Sequence, residues 1–311
     1  MGFFDAYKKK KLLSALKSDI EITLGTHIKS IMTKYVISVH PDEKLIDAAN
    51  IIVGEKVSCV VVKDEEEPIA VLTERDFLKK APLNQDEFET LLVKDLMSSS
   101  LITVESKTNV FDAVKILSKN NFRKLVIKDI NLQGIVTQTD FIKLMDQFYD
   151  KLTIKTSDLT TIQDVMTKNV LTINYGEKFK KAKEMMAQKG VGSIVVMKNN
   201  EVAGITTEYN VVAELVKDAG RINTLKVEET MSSPVIGIKP ETNIFDANRI
   251  MIKENIRRLP VMNGNKMVGI ITQTDLCRAM YYFLRMTLWH LEKNSLEFEP
   301  LEKQTEESIM V

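Results

Sequence analysis

The stretch Gly134-Ile135-Val136-Thr137-Gln138-Thr139-Asp140 recurs almost letter for letter as Gly269-Ile270-Ile271-Thr272-Gln273-Thr274-Asp275. Looser copies are Ala70-Val71-Leu72-Thr73-Glu74-Arg75-Asp76 and Gly204-Ile205-Thr206-Thr207-Glu208-Tyr209-Asn210. Each reads as a small residue, a short apolar strand, a Thr at its end, and an acid or amide one helical turn later. Four copies define a repeat, and a repeat limits the fold to units that stack or pair to bury what each alone exposes.

The copies end at 76, 140, 210 and 275, in steps of 64, 70 and 65. An apolar-Met marker falls at Met32, Met97, Met166 and Met231. From Met32 to Met166 and from Met97 to Met231 the step is 134 in both cases, so the chain reads as two halves of two unequal units. The even units are most alike: Thr108-Asn109-Val110-Phe111-Asp112-Ala113 matches Thr242-Asn243-Ile244-Phe245-Asp246-Ala247.

In the first unit, Val36 to Val39 reads as a strand. Leu45, Ala48, Ala49 and Ile52 have helical spacing, Cys59 to Val62 is an apolar strand, Asp64 to Pro68 a charged turn, Ile69 to Leu72 a returning strand, and a helix follows Thr73. The apolar runs predict a sheet with helices on one face and a second buried face. The expected class is α/β (α+β): four strand-helix-strand-strand-helix units spanning 28–80, 93–149, 162–217 and 227–285. A unit of some sixty residues buries too little alone, so the 134-residue period pairs the first with the second and the third with the fourth.

Two segments fall outside the units. Residues 1–27 suggest a basic amphipathic helix (Phe3, Phe4, Lys8 to Lys11, Leu12, Leu16) expected to pack on the repeats, with a membrane-surface role as the alternative. Asp275 to Asn294 reads as a long helix packed on the fourth unit, with self-association or a protein partner as the second reading, and 286–311 takes in its end and a polar tail.

Composition narrows the function. Lys+Arg and Asp+Glu both number 43, leaving no net charge, which disfavours a dedicated nucleic-acid binder. Two cysteines, Cys59 and Cys277, have no metal spacing, and three scattered histidines supply neither a metal site nor a Ser-His-Asp centre. The start lacks the apolar core of a signal peptide, and no apolar run reaches the roughly 20 residues of a membrane span. A soluble, cytoplasmic protein is expected.

The motif admits a plain reading. Thr-x-x-Asp between a strand and an apolar run is a helix N-terminus signature, in which the Thr hydroxyl caps an amide and the acid meets the exposed N–H groups. The same helix end suits an anion such as a phosphate, and a nearby carboxylate can accept both hydroxyls of a ribose diol.

The units resemble CBS domains, which occur in pairs and bind adenosine-containing ligands in the clefts between paired units. The resemblance rests on the apolar-Met-Thr/Ser starts at Met32, Met97, Met166 and Met231, the Asp-Ala steps at Asp47, Asp112 and Asp246, the stretch Arg257 to Val261, and the closing Thr-x-x-Asp. Four units in one chain resemble the gamma subunit of AMP-activated protein kinase, where two pairs close into a disc. The resemblance implies that Asp76, Asp140 and Asp275 bind ribose, with Asn210 the departure. It implies that Thr73, Thr137, Thr207 and Thr272 meet phosphate or ribose, and that Ser38, Thr103 and Thr172 on the first strands meet adenine or sugar, the fourth unit having Gly237. Entering the second strand, the even units carry Arg123-Lys124 and Arg257-Arg258, basic side chains suited to phosphates. The clefts of Asp140 and Asp275 are therefore the expected nucleotide sites, unequal to the other two.

The implied function is a non-catalytic regulatory sensor of AMP, ADP or ATP, with S-adenosylmethionine or NAD as alternatives, acting on an unknown protein partner. No catalytic or metal residues are expected, since little chain remains outside the repeats and it lacks converging nucleophile, base and ligands. The competing reading is an interaction scaffold with vestigial clefts. A homodimer joined through the terminal helices is the alternative to a monomer.

Overall fold

The computed structural model describes residues 17–292 apart from 24, 100, 121 and 152–159. The basic run Lys8 to Lys11, the tail beyond 292 and most of the connection between the halves lie outside the described residues. Residues 17–23 are helical and bury Ile20 in the core of the second and fourth units.

The first unit follows the expected order: β1 (Ser38–Val39), α1 (Leu45–Gly54), β2 (Cys59–Asp64), β3 (Glu67–Thr73) and α2 (Glu74–Lys80). β1 runs parallel to β2, as the intervening helix requires, and β2 is antiparallel to β3 across the tight turn. The second unit repeats this with β4 (Thr103–Val104), α3 (Val110–Lys119), β5 (Lys124–Lys128), β6 (Leu132–Thr137) and α4 (Gln138–Lys151). The third comprises β7 (Thr172–Asn174), α5 (Phe179–Lys189), β8 (Ser193–Lys198), β9 (Glu201–Thr207) and α6 (Glu208–Asp218). The fourth has α7 (Ile244–Lys253), β10 (Arg258–Asn263), β11 (Lys266–Thr272) and α8 (Gln273–Glu292). Its sheet has two strands, the expected first strand being reduced to a single parallel bridge from Ile238 to Val261.

Sheets join the units within each half. Val61 and Val71 meet Val126 in one apolar layer, and Val195 and Ile205 meet Ile270 in the other. The segment leading into each unit also crosses to the last strand of its pair-mate: Thr33 exchanges backbone hydrogen bonds with Ile135, Ser98 with Val71, Thr167 with Ile270 and Ser232 with Ile205. This crossing accounts for two sequence markers at once. Met32 lies on Gly134, Met166 on Gly269 and Met231 on Gly204, and a Cβ at Gly134 would stand 2.7 Å from both Met32 Sδ and Thr33 O. The small residue of the motif is the seat of the marker methionine.

Helices join the halves. One core draws on α1, α2, α5 and α6, placing the first unit against the third; the other draws on α3, α4, α7 and α8, placing the second against the fourth. The four units therefore close a ring of contacts, sheet to sheet within a half and helix to helix between halves. α8 packs on α3 and α4 of the second unit as well as on its own α7, so the long terminal helix belongs to the joint between halves. Phe245 of α7 stacks on Tyr149 of α4 at 4.2 Å between centroids, and Phe111 of α3 meets Tyr281 of α8 at 5.1 Å. The stretches between units are structured too. Phe88, in a short helix Gln85–Thr90, is buried against Phe77, and Gln85 Oε1 accepts from the Ala219 amide at 2.7 Å.

Candidate functional site

The motif builds the same helix cap four times. At Thr73, the backbone amide and the hydroxyl both donate to Asp76 Oδ2, at 2.9 and 2.6 Å, and the Asp76 amide donates back to the Thr73 hydroxyl at 3.3 Å. Thr137 donates to Asp140 Oδ2 at 2.8 and 2.9 Å, and Thr272 to Asp275 Oδ2 at 2.9 and 2.6 Å. Thr207 does the same to Asn210 Oδ1, at 2.8 Å for both bonds. The cap takes one carboxylate oxygen and leaves Oδ1 for other work. Asn210 has no such spare acceptor: its one side-chain oxygen serves the cap, and its amide nitrogen donates to Thr230 O at 2.8 Å.

Cavities meet these caps unevenly. Cavity one, of about 300 Å³, lies between the first and second units. Thr73 and Asp76 line it together with Arg75, Lys79, Lys80, Arg123 and Lys124, and with an apolar wall of Val71, Leu101, Ile102, Phe122 and Val126. Lys80 Nζ stands 3.8 Å from Asp76 Oδ1 and donates to Leu96 O at 2.7 Å. Cavity two, of about 110 Å³, lies at the centre of the ring among Thr137, Thr139, Thr272, Thr274, Arg123, Arg257 and Arg258. Cavity three, of about 660 Å³, lies between the third and fourth units, with Thr207, Tyr209, Lys143, Arg257 and Arg258 on its wall.

The basic pairs of the even units thus open beside the motifs of the odd ones. Arg123 and Lys124 share cavity one with Asp76, and Arg257 and Arg258 share cavity three with Thr207. The expectation from sequence joins those charges to Asp140 and Asp275 instead. Both acids are half-buried and border none of these cavities. The reason is the pairing within each half, which sets the strand entry of one unit opposite the closing motif of its mate. Ser38, Thr103 and Thr172 are exposed on their strands and border none of these three cavities. The residue before Thr103, Ile102, faces cavity one, and Ile236, before Gly237, faces cavity three.

Two residues that the sequence does not single out hold the centre. Glu74 and Glu208, the first residues of α2 and α6, are 3% and 1% exposed. Arg123 donates to Glu208 Oε2 at 2.7 Å and Arg75 to Glu208 Oε1 at 2.9 Å. Arg257 donates to both oxygens of Glu74, at 3.2 and 3.1 Å. Each pair joins one half to the other, and Glu74/Glu208 and Arg123/Arg257 are related by the same 134-residue step. Gln138 and Gln273 repeat the exchange, Thr274 donating to Gln138 Oε1 at 2.8 Å and Thr139 to Gln273 Oε1 at 3.0 Å. A signal was present in the alternation: the motif reads Thr-Glu in the odd units and Thr-Gln in the even ones, while Arg enters only the even strands.

Burial works against ionised Glu208, but Arg123 and Arg75 beside it win and hold its carboxyl at about 2. Burial, then the neighbouring Arg257, brings the Arg258 guanidinium down to about 10, while the carboxylates of Glu208 and Glu74 act the other way. Arg258 Nε is buried without a hydrogen-bond partner. Burial pushes the Cys277 thiol up to about 12, as suits a core residue. Among the described residues, no group of three or more His, Cys, Asp or Glu could hold a metal ion, and no helix is long and apolar enough to cross a membrane.

The chain has relatives among known proteins. It is 26% identical to the uncharacterized protein MJ1404 of Methanocaldococcus jannaschii over 277 residues, covering 83% of this chain and 63% of that protein. It is 29% identical to protein MJ1225 of the same organism over 193 residues, 60% of this chain and 68% of the other. The crystal structure of MJ1225, described as a candidate archaeal homologue of the gamma subunit of AMP-activated protein kinase, superposes with a TM-score of 0.72. The match has 20% identity and covers 82% of this chain and all of that one. A conserved protein of Pyrococcus horikoshii superposes with a TM-score of 0.56 at 18% identity, over 82% of this chain and all of its own. The family model for the CBS domain matches at 28–82, 93–147, 162–217 and 227–282, and with four matches over most of its length the chain belongs to the CBS-domain family.

Proposed function

We propose that this protein is a regulatory sensor that binds a phosphorylated adenosine ligand in cavity one. The single observation that carries this reading is the convergence there of a carboxylate oxygen left over by a helix cap, Asp76 Oδ1, with five cationic side chains and an apolar wall. An adenine lies against Leu101, Ile102, Val71 and Val126, a ribose diol donates to Asp76, and the phosphate meets Arg123 and Lys124. The volume, about 300 Å³, is at the small end for ligand pockets and favours a nucleoside monophosphate over longer ligands.

Cavity three has its own basic pair, Arg257 and Arg258, but the residue of its motif that corresponds to Asp76 is Asn210, whose amide is spent within the protein. It is a weaker or differently selective site. Asp140 and Asp275 likewise give one carboxylate oxygen to the cap and keep the other as an acceptor for a second ligand. Signalling runs through the joint between halves, because Arg123 belongs both to cavity one and to an ion pair with the opposite half. The output is change in a protein partner's binding, and no catalytic step is assigned to the chain.

Isothermal titration of nucleotide-stripped protein with AMP, ADP, ATP and S-adenosylmethionine tests the reading. Saturable binding with fewer than four sites, AMP being tightest, is the expected result. A folded protein that binds none of them is instead an interaction scaffold.

A further inference from the structure

Arg123 has two claims on it. It lines cavity one, where it is placed for a ligand phosphate, and it donates to Glu208 of the opposite half at 2.7 Å. Glu208 also borders cavity one and receives Arg75 at 2.9 Å. A guanidinium has a limited fork of donors, and a phosphate offers more negative charge than a carboxylate. The two acceptors therefore compete for one side chain.

We propose that Glu208 is a built-in rival of the ligand phosphate, so that a phosphorylated ligand entering cavity one takes Arg123 from Glu208 and exchanges an ion pair between the halves for one within the site. This rests on the nucleotide reading of cavity one and adds its regulation.

The exchange needs Glu208 to survive the loss of Arg123, since its side chain is only 2% exposed. Arg75 supplies that: it lines cavity one as well, but it is paired with the other carboxylate oxygen, and the phosphate is placed on Arg123 and Lys124. Among the described residues Glu74 has no second hydrogen-bonded arginine, Arg258 acting on it only at longer range. The residue 134 positions after Arg75 is Tyr209, and among the described residues Arg257 is the cation paired with Glu74. A phosphate drawing Arg257 away in cavity three would leave a carboxylate that is 4% exposed without a hydrogen-bonded cation, at a cost that opposes binding. The second arginine thus marks cavity one as the site where ligand entry and the inter-half pair can be traded, and it makes the two halves unequal.

The test titrates the full chain and the Glu208→Gln variant with AMP and with adenosine. Gln keeps the size and an acceptor for Arg75 but gives up the charge. AMP is expected to bind the variant about tenfold more tightly, while adenosine binds both proteins alike. AMP binding that is unchanged or weaker, with adenosine unaltered, overturns the exchange and leaves the nucleotide reading standing. If neither ligand binds either protein, the reading beneath it falls as well. Should circular dichroism show the Gln variant unfolded, Glu208→Asp keeps the charge but shortens its reach; a smaller gain for AMP alone supports the exchange, and no gain overturns it.

Discussion

Arg123 and Glu208 lie 85 residues apart in the sequence and 2.7 Å apart in space, in different halves of the ring. With its counterpart Arg257–Glu74 the pair forms a crossed clasp, each half lending an arginine to the other's buried acid. An acid held between two cations stabilises only while it is ionised, and this makes its contribution depend on pH.

The Glu208 carboxyl titrates at about 2 in the folded chain against an ordinary 4.5. Between those values the unfolded chain binds more protons, so the contribution is complete above about pH 4.5 and is lost as pH falls toward 2. Its size is on the order of 3 kcal/mol. Urea unfolding midpoints from pH 5 to 2.5 should fall steeply, and Glu208→Gln should flatten that fall.

Asp76→Asn separates the cap from the site. Asn210 shows that an amide serves the Thr cap as well as a carboxylate does, with bonds of 2.8 Å. The Asp76→Asn variant should therefore melt within a few degrees of the parent. Its affinity for AMP should drop at least about tenfold, because the diol loses a charged acceptor. Equal affinity by titration would remove Asp76 from the site.

Gly134→Ala should destabilise by about 2 kcal/mol, in the range for overpacking. The new methyl meets the Thr33 carbonyl, which is backbone and paired in the bridge to Ile135, as well as Met32. At Gly204 the three atoms nearest the new methyl all belong to the Met231 side chain, which can turn aside, so Gly204→Ala should cost less than Gly134→Ala. Urea denaturation of the two variants gives the comparison.

Phe245→Ala should cost about 3 kcal/mol, as for other buried aromatics. Phe245 stacks on Tyr149 and meets Phe283 edge-on at 5.5 Å, so the loss falls on the joint between the second and fourth units. Chemical unfolding should show the whole ring weakened, with the midpoint moved in every spectroscopic probe.

Much was legible in the residues. The 134-residue step, the apolar runs and the Thr-x-x-Asp signature determined four units, their pairing within each half, their sheets and their helix caps, because these depend on neighbours within a few residues or on simple periodicity. The first strand of the fourth unit shrank to one bridge at Ile238, which no local pattern announced. The motif glycines were visible as a pattern, but their reason, a methionine from the pair-mate, was not.

The site itself was decided by the tertiary structure. In the sequence Glu74 and Glu208 are ordinary acids at helix starts, and only the closing of the ring buries them against arginines 183 and 85 residues away. The same closing sets the basic strand entries of the even units beside the motifs of the odd ones and leaves Ser38, Thr103 and Thr172 facing outward. Local sequence determines what each unit is, since capping and periodicity act within a turn or a strand. Which charge meets which acid depends on how one unit is turned against another, and that orientation is fixed by packing between surfaces far apart in the chain.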